Sequence, residues 1–81
     1  MEFPDFGVRL KDARLTLGLS LRQVAARSGV NLAHLSEYER GLRPASRLSW
    51  TTLWILAGVL HTTPHRLGAW DELVWVHASP L

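Results

Sequence analysis

The sequence predicts an all-α domain of five helices, and three observations carry that prediction. Phe6, Leu10, Ala13 and Leu17 recur at spacings of four, three and four, the apolar stripe of one helix face. Ser20–Gly41, SLRQVAARSGVNLAHLSEYERG, holds two short stretches that each open on a capping residue and close near a glycine. Leu53–Leu60, LWILAGVL, is apolar on every side of a helix, as in an element covered all round by core or partner.

Taken in order, Met1–Pro4 is a loose lead-in and Asp5 caps a first helix reaching about Leu17. Arg9, Lys11 and Asp12 fall on its wet side, and Gly18 ends it. Ser20 with Gln23 three residues on is a capping box for the second helix, which turns Val24 and Ala25 inward and Arg22, Gln23 and Arg27 outward. Gly29 allows the left-handed stop, and Asn31 caps the third helix, where Leu35 and Tyr38 lie three apart on one face. Gly41 closes it. Two helices of about eight to ten residues joined by so short a turn form a helix-turn-helix, in which the second crosses the first and protrudes.

Pro44 and Ser46 suit an exposed turn, with Ser46 or Ser49 capping a fourth helix from about Arg47 to His61. Trp50, Leu53, Ala57 and Leu60 form its core stripe; Trp54, Ile55 and Val59 lie elsewhere on the cylinder. Thr63-Pro64 reads as the cap and first residue of a short fifth helix, with Leu67 and Trp70 completing the core. Gly68 weakens any long continuation, and Trp75–Leu81 is open between helix, strand and fraying tail. The division expected is a helical domain over residues 1–68 and an extension over 69–81.

Residues 14–41 strongly resemble the helix-turn-helix of the lambda-repressor and Cro-like (Xre) family. The residues that carry the likeness are Arg14, Gly18, Leu19, Ser20, Val24, Ala25, Gly29, Val30, Leu35, Glu39, Arg40 and Gly41. Looser similarity runs from Phe6 to about Leu67. The resemblance implies a compact five-helix lambda-repressor-like fold and a regulator of transcription that binds double-stranded DNA. It puts base edges opposite Leu32, Ala33 and Glu37, with His34 and Ser36 nearby. Phosphate contacts would fall to Ser20, Arg22, Gln23, Asn31 and Arg40, with Arg43 and Arg47 in the loop beyond. It also implies that Arg14 pairs with Glu39, tying the first helix to the third; the bland reading is two exposed charges worth little.

The chain departs from the family at informative places. Leu32 and Ala33 stand where polar residues are common, and Leu21 replaces a frequent Gln. The loop from Gly41 to Trp50 runs about three residues longer than usual. Apolar side chains can read thymine methyls and Glu37 can accept from cytosine N4, but none makes the bidentate purine contacts of direct readout. Phosphate contacts set register more than sequence choice, so DNA shape is expected to supply much of the specificity.

Composition agrees with one small domain. The chain has 81 residues, enough for one core, and 47% are hydrophobic, with four Trp. The formal net charge is only +2. Its distribution says more: Arg43 and Arg47 stand unopposed just past the third helix, and eight of nine cations are Arg, suited to phosphate and guanine. There is no basic, apolar leader and no apolar run near the ~18 residues of a membrane span, so a soluble cytoplasmic protein is expected.

Nothing points to catalysis or a cofactor. There is no nucleophile elbow, no phosphate-cradling Gly loop and no thiol; the lack of cysteine also excludes a disulfide framework. His61 and His65 have metal-pair spacing, but Pro64 breaks the helix that would align them and no third ligand is obvious, so surface histidines are the expectation. Asp71 and Glu72 read as surface charge. A surplus of large apolar residues, Trp54, Ile55, Val59, Trp70, Val74, Trp75 and Val76, predicts a homodimer. The competing reading is a protein-interaction adaptor or antitoxin that uses the apolar third helix and the Trp-rich surface to hold a protein partner.

Overall fold

Three chain reversals of one kind shape the domain. In the computed structural model, which describes residues 4–68, the helices are α1 (Pro4–Thr16), α2 (Leu21–Ser28), α3 (Leu32–Glu39) and α4 (Trp50–Val59). A single 3-10 turn, Ala45–Arg47, stands before α4. At the ends of α1 and α3 the chain turns in the left-handed region at Gly18 and Gly41, and two amides fold back on the last turn. The Leu19 N–H bonds Arg14 O at 3.1 Å and that of Leu42 bonds Glu37 O at 2.9 Å. This satisfies carbonyls that a helix end leaves orphaned. α4 ends by the same bonds, but with His61 at φ 57° where the others have glycine.

All elements among the described residues are helical, with no strand, and α1 packs on α3 while α2 packs on both α3 and α4. The core is Phe6, Leu10, Val24, Val30, Leu35, Tyr38, Ala45, Leu48, Leu53, Leu56, Ala57, Leu60 and Leu67. Phe6 meets Tyr38 edge-on, ring centres 5.7 Å apart, an arrangement that aromatic quadrupoles favour. No helix among the described residues is long and apolar enough to cross a membrane.

Local chemistry explains the starts. Ser20 and Gln23 make the reciprocal capping box of α2, and Asn31 and Ser49 cap α3 and α4 through side-chain oxygens. Ser28 is the one buried polar or charged residue among the described residues; its Oγ donates to Val24 O at 2.7 Å and accepts from the Val30 N–H at 3.2 Å. That bond pair holds the turn between α2 and α3 in shape.

Four expectations change. α1 starts at Pro4, so Asp5 sits in its first turn, where the helix dipole favours a carboxylate, instead of at the cap. α4 is shorter than Arg47–His61, because Ser49 is its cap and the 3-10 turn interrupts the chain before it. Trp50 is not in the core: it is 40% exposed and lies edge-on to Trp54, with Leu56 buried instead. At about 100° per residue, Leu53, Leu56, Ala57 and Leu60 fall within one arc of the helix, and Trp50 lies just outside its edge. Four helices, not five, stand among the described residues. The Thr63–Pro64 cap opens a single turn, in which the Arg66 N–H bonds Thr63 Oγ1 at 3.3 Å and the Leu67 N–H bonds Thr63 O at 3.1 Å. Trp70, Val74, Trp75, Val76 and the rest of 69–81 lie outside the described residues, as do Met1–Phe3.

Candidate nucleic-acid interface

The interface is built on α3, a helix anchored on one side and open on the other. Leu35 and Tyr38 are buried, and the residues half a turn away, Ala33, Glu37 and Arg40, face outward. Leu32, Ala33 and His34 are exposed; Ser36 and Glu37 are partly covered.

α3 is capped at its start and tied to α1 at its end. At its start the Asn31 Oδ1 accepts the His34 N–H at 3.1 Å. At its finish Glu39 is gripped by Arg14 of α1 through two parallel bonds, Nε to Oε2 at 2.7 Å and Nη2 to Oε1 at 3.0 Å. Arg14 Nη1 also donates to Leu19 O at 2.8 Å, so one guanidinium ties α1, the α1–α2 turn and α3 together. The side chains keep only 11% and 6% of their surface. The hydrogen bond to Glu39 is the main reason the Arg14 guanidinium holds its proton above its ordinary range, against the opposing effect of burial.

Beside α3 runs a groove of about 340 Å³ lined by Val30, Asn31, His34, Tyr38, Arg43, Arg47, Leu48, Ser49 and Thr52. It brings together Asn31, His34, Arg43 and Arg47 of the sequence-predicted contacts. Ser49, expected only as a helix cap, and Thr52, at the start of α4, line it as well. Ser49 Oγ accepts the Thr52 N–H as the cap of α4, and the two hydroxyls bond each other at 2.7 Å. Leu48 and Ala45 are buried and pin the long loop to the core, which keeps both loop arginines beside α3.

The remaining predicted contacts are arranged less simply. Ser20, Arg22, Gln23 and Arg40 are exposed but do not line the groove. Ser20 and Gln23 engage each other: the Ser20 N–H donates to Gln23 Oε1 at 2.8 Å and the Gln23 N–H to Ser20 Oγ at 3.1 Å. Glu37, expected on a base, and Arg43, expected on a phosphate, bond each other, Arg43 Nη2 to Glu37 Oε1 at 3.1 Å. The guanidinium carbon of Arg43 also lies 5.9 Å from the Tyr38 ring centre. Burial raises the phenol pKa of Tyr38, and the nearby charges of Arg43 and Arg47 only partly oppose that shift. Of the residues expected at a dimer interface, Trp54 and Ile55 are each 47% exposed and Val59 is partly covered.

Comparison with known proteins agrees with this geometry. Residues 5–70 match the family model described as Helix-turn-helix domain. The chain is 39% identical over 65 residues to an uncharacterised helix-turn-helix-type transcriptional regulator of Mycobacterium tuberculosis, over 67% of this chain and 46% of that protein. It thus spans about half the length of the curated relatives it matches. Among solved structures it resembles the restriction-modification controller protein C.AhdI of Aeromonas hydrophila, with TM-score 0.67, 33% identity, and coverage of 78% of this chain and 91% of that one. It also resembles SinR, a master regulator for biofilm formation solved with DNA, with TM-score 0.68, 34% identity, and coverage of 76% and 95%. A hydroxypropylphosphonic acid epoxidase from S. wedmorenis shares the helical fold too, with TM-score 0.70 at 26% identity, but over only 34% of that enzyme. A match over residues 5–70, on a body whose α2 and α3 are set at the capped turn, identifies the chain as a member of the helix-turn-helix family of the lambda-repressor and Cro-like (Xre) type.

Proposed function

We propose that this chain is a DNA-binding regulator of transcription, not an enzyme, that lays α3 into the major groove of duplex DNA. The carrying observation is the division of α3 into a buried side, Leu35 and Tyr38, and an open side, Ala33, Glu37 and Arg40, flanked by an arginine-lined groove. A helix so presented fits a groove about 12 Å wide. The phosphate strand would run past Asn31 and Arg47, with Arg22, Gln23, Ser20 and Arg40 on the other flank. Leu32, Ala33, His34 and Ser36 would face bases with Glu37, and the protein would act in the cytoplasm, on the chromosome. No cofactor or small ligand enters this reading.

Arg47→Ala is expected to weaken binding to all duplexes alike and to reduce the slope of log affinity against log salt by about one, the signature of one lost phosphate contact. Titration of labelled random-sequence duplex at several salt concentrations measures both. Salt-independent or absent binding by the unaltered protein would remove the DNA reading and leave the adaptor reading in front.

The working species in this reading is a homodimer on a palindromic operator, and exposed Trp50, Trp54 and Ile55 on α4 favour it. Two α3 helices about 34 Å apart would read successive major grooves. Sedimentation at micromolar concentration should give twice the monomer mass, falling toward the monomer in Trp54→Ser. A monomer at every concentration, with DNA affinity unaltered in that variant, would remove the dimer and leave the DNA reading in place.

A further inference from the structure

We propose that Arg43 is a positioning residue for base recognition, which acts on DNA through Glu37 and not through a phosphate of its own. The inference rests on the DNA reading above and deepens it.

The chain places the two side chains together by the way α3 ends. The left-handed turn at Gly41 and the bond from the Leu42 N–H to Glu37 O reverse the backbone, so that Arg43 comes back alongside the last turn of α3. Arg43 Nε and Nη2 then both donate to one oxygen, Glu37 Oε1, at 3.3 and 3.1 Å. The guanidinium also lies by the Tyr38 ring, and that ring is itself held edge-on by Phe6. Arg43 is therefore braced from the core outward, and it braces the carboxylate in turn.

The electrostatics ask for such a brace. Glu37 is the one acid on the outward face of α3, and duplex DNA carries a negative charge for about every 1.7 Å of its axis. An unaccompanied carboxylate brought to that surface is repelled. Beside a guanidinium the pair is close to neutral, and an oriented carboxylate can accept from a cytosine amino group. Both arginine bonds go to Oε1, so neither of them uses Oε2. A phosphate that took over the Nε and Nη2 donors of Arg43 would displace Glu37 and leave it unneutralised next to the DNA.

Two behaviours separate the alternatives. Sites are selected from a randomised duplex pool with the unaltered protein. Affinities for the selected site and its single-base variants are then measured for Arg43→Ala, Glu37→Gln, the double variant and Arg43→Lys, each checked for its melting temperature. If Arg43 acts through Glu37, Arg43→Ala costs about tenfold on the selected site, since one base contact is worth about 1–3 kcal/mol. It also flattens the preference at the same base position as Glu37→Gln. In the Glu37→Gln background, the removal of Arg43 then costs little further. Arg43→Lys, which keeps the charge but not the two-nitrogen grip, recovers affinity without recovering the preference.

The opposite pattern overturns the proposal. An equal loss for every base, repeated in the Glu37→Gln background and with the salt slope lowered by about one, would make Arg43 a phosphate contact. The DNA reading would then stand. A pool from which nothing is enriched, with no salt-dependent binding, would remove both.

Discussion

Glu39→Ala should lower the melting temperature by about 12–24 °C, the fall expected when about 3 kcal/mol is lost from a domain of this size. The cost comes from what remains. Arg14 would keep its charge under a largely closed surface with only the Leu19 carbonyl to receive it. An unpaired charge left behind in that way costs more than the pair contributes. Arg14→Ala strands the carboxylate instead and should cost a similar amount. The decisive comparison is Arg14→Met combined with Glu39→Leu, which removes both charges and should be less destabilised than either single alanine variant. Thermal melts of all three measure this, and singles that melt with the unaltered protein would show that the pair does not hold α3.

The pH dependence follows from the sign of the shift. The hydrogen bond to Glu39 raises the folded-state pKa of Arg14 above its already strongly alkaline ordinary value, so its contribution is complete through the neutral range and is lost only in strong alkali. Tyr38 acts in the same direction closer to hand. Burial raises its phenol pKa above the ordinary value of 10.0, so the unfolded chain ionises first and stability falls as pH climbs through 10.0. The arginine pair and the tyrosine therefore leave the neutral range flat and weaken the fold in alkali.

Gly7→Ala should cost about 3 kcal/mol or more, at or beyond the upper end of ordinary overpacking. Gly7 is buried in the first turn of α1, and a Cβ there would run into the Tyr38 carbonyl oxygen and meet that of Glu39 at 2.9 Å. These are backbone atoms at the end of α3 and cannot turn aside as a side chain can. Alanine's better helix propensity returns only about 1 kcal/mol of that cost. The same substitution at Gly58, in α4, meets nothing within 4 Å and should instead stabilise by up to ~1 kcal/mol. Opposite shifts in two otherwise identical melting experiments are the expected result, and a neutral Gly7→Ala would show that α1 and α3 can part without loss. Because Gly7 and Glu39 share this contact, their variants should not add.

These two sites mark what could be read at each level. Capping and turn chemistry act over three or four residues, so Ser20, Gln23, Gly29, Asn31 and Gly41 announce α2, the turn and α3 without any knowledge of the fold. The Arg14–Glu39 pairing, 25 residues apart, was legible only through resemblance to a family, because no local spacing brings those side chains together. Gly7 looks like an indifferent residue in a helical stretch; only the approach of a second helix makes it matter. Leu56 displaced Trp50 from the core for a related reason, since a helix that is apolar all round carries no signal of which face is covered.

The candidate interface divides along the same line. The residue types on α3 are sequence facts, and they indicate a helix that can be presented to a groove. That Glu37 and Arg43 meet each other was decided by the reversal at Gly41 and by the burial of Ala45 and Leu48, which bring a long loop back against α3. Local rules specify where helices start and stop because the groups involved are neighbours along the chain. Which charges neutralise each other, and which glycine must stay bare, depends on surfaces that meet only after the helices have packed.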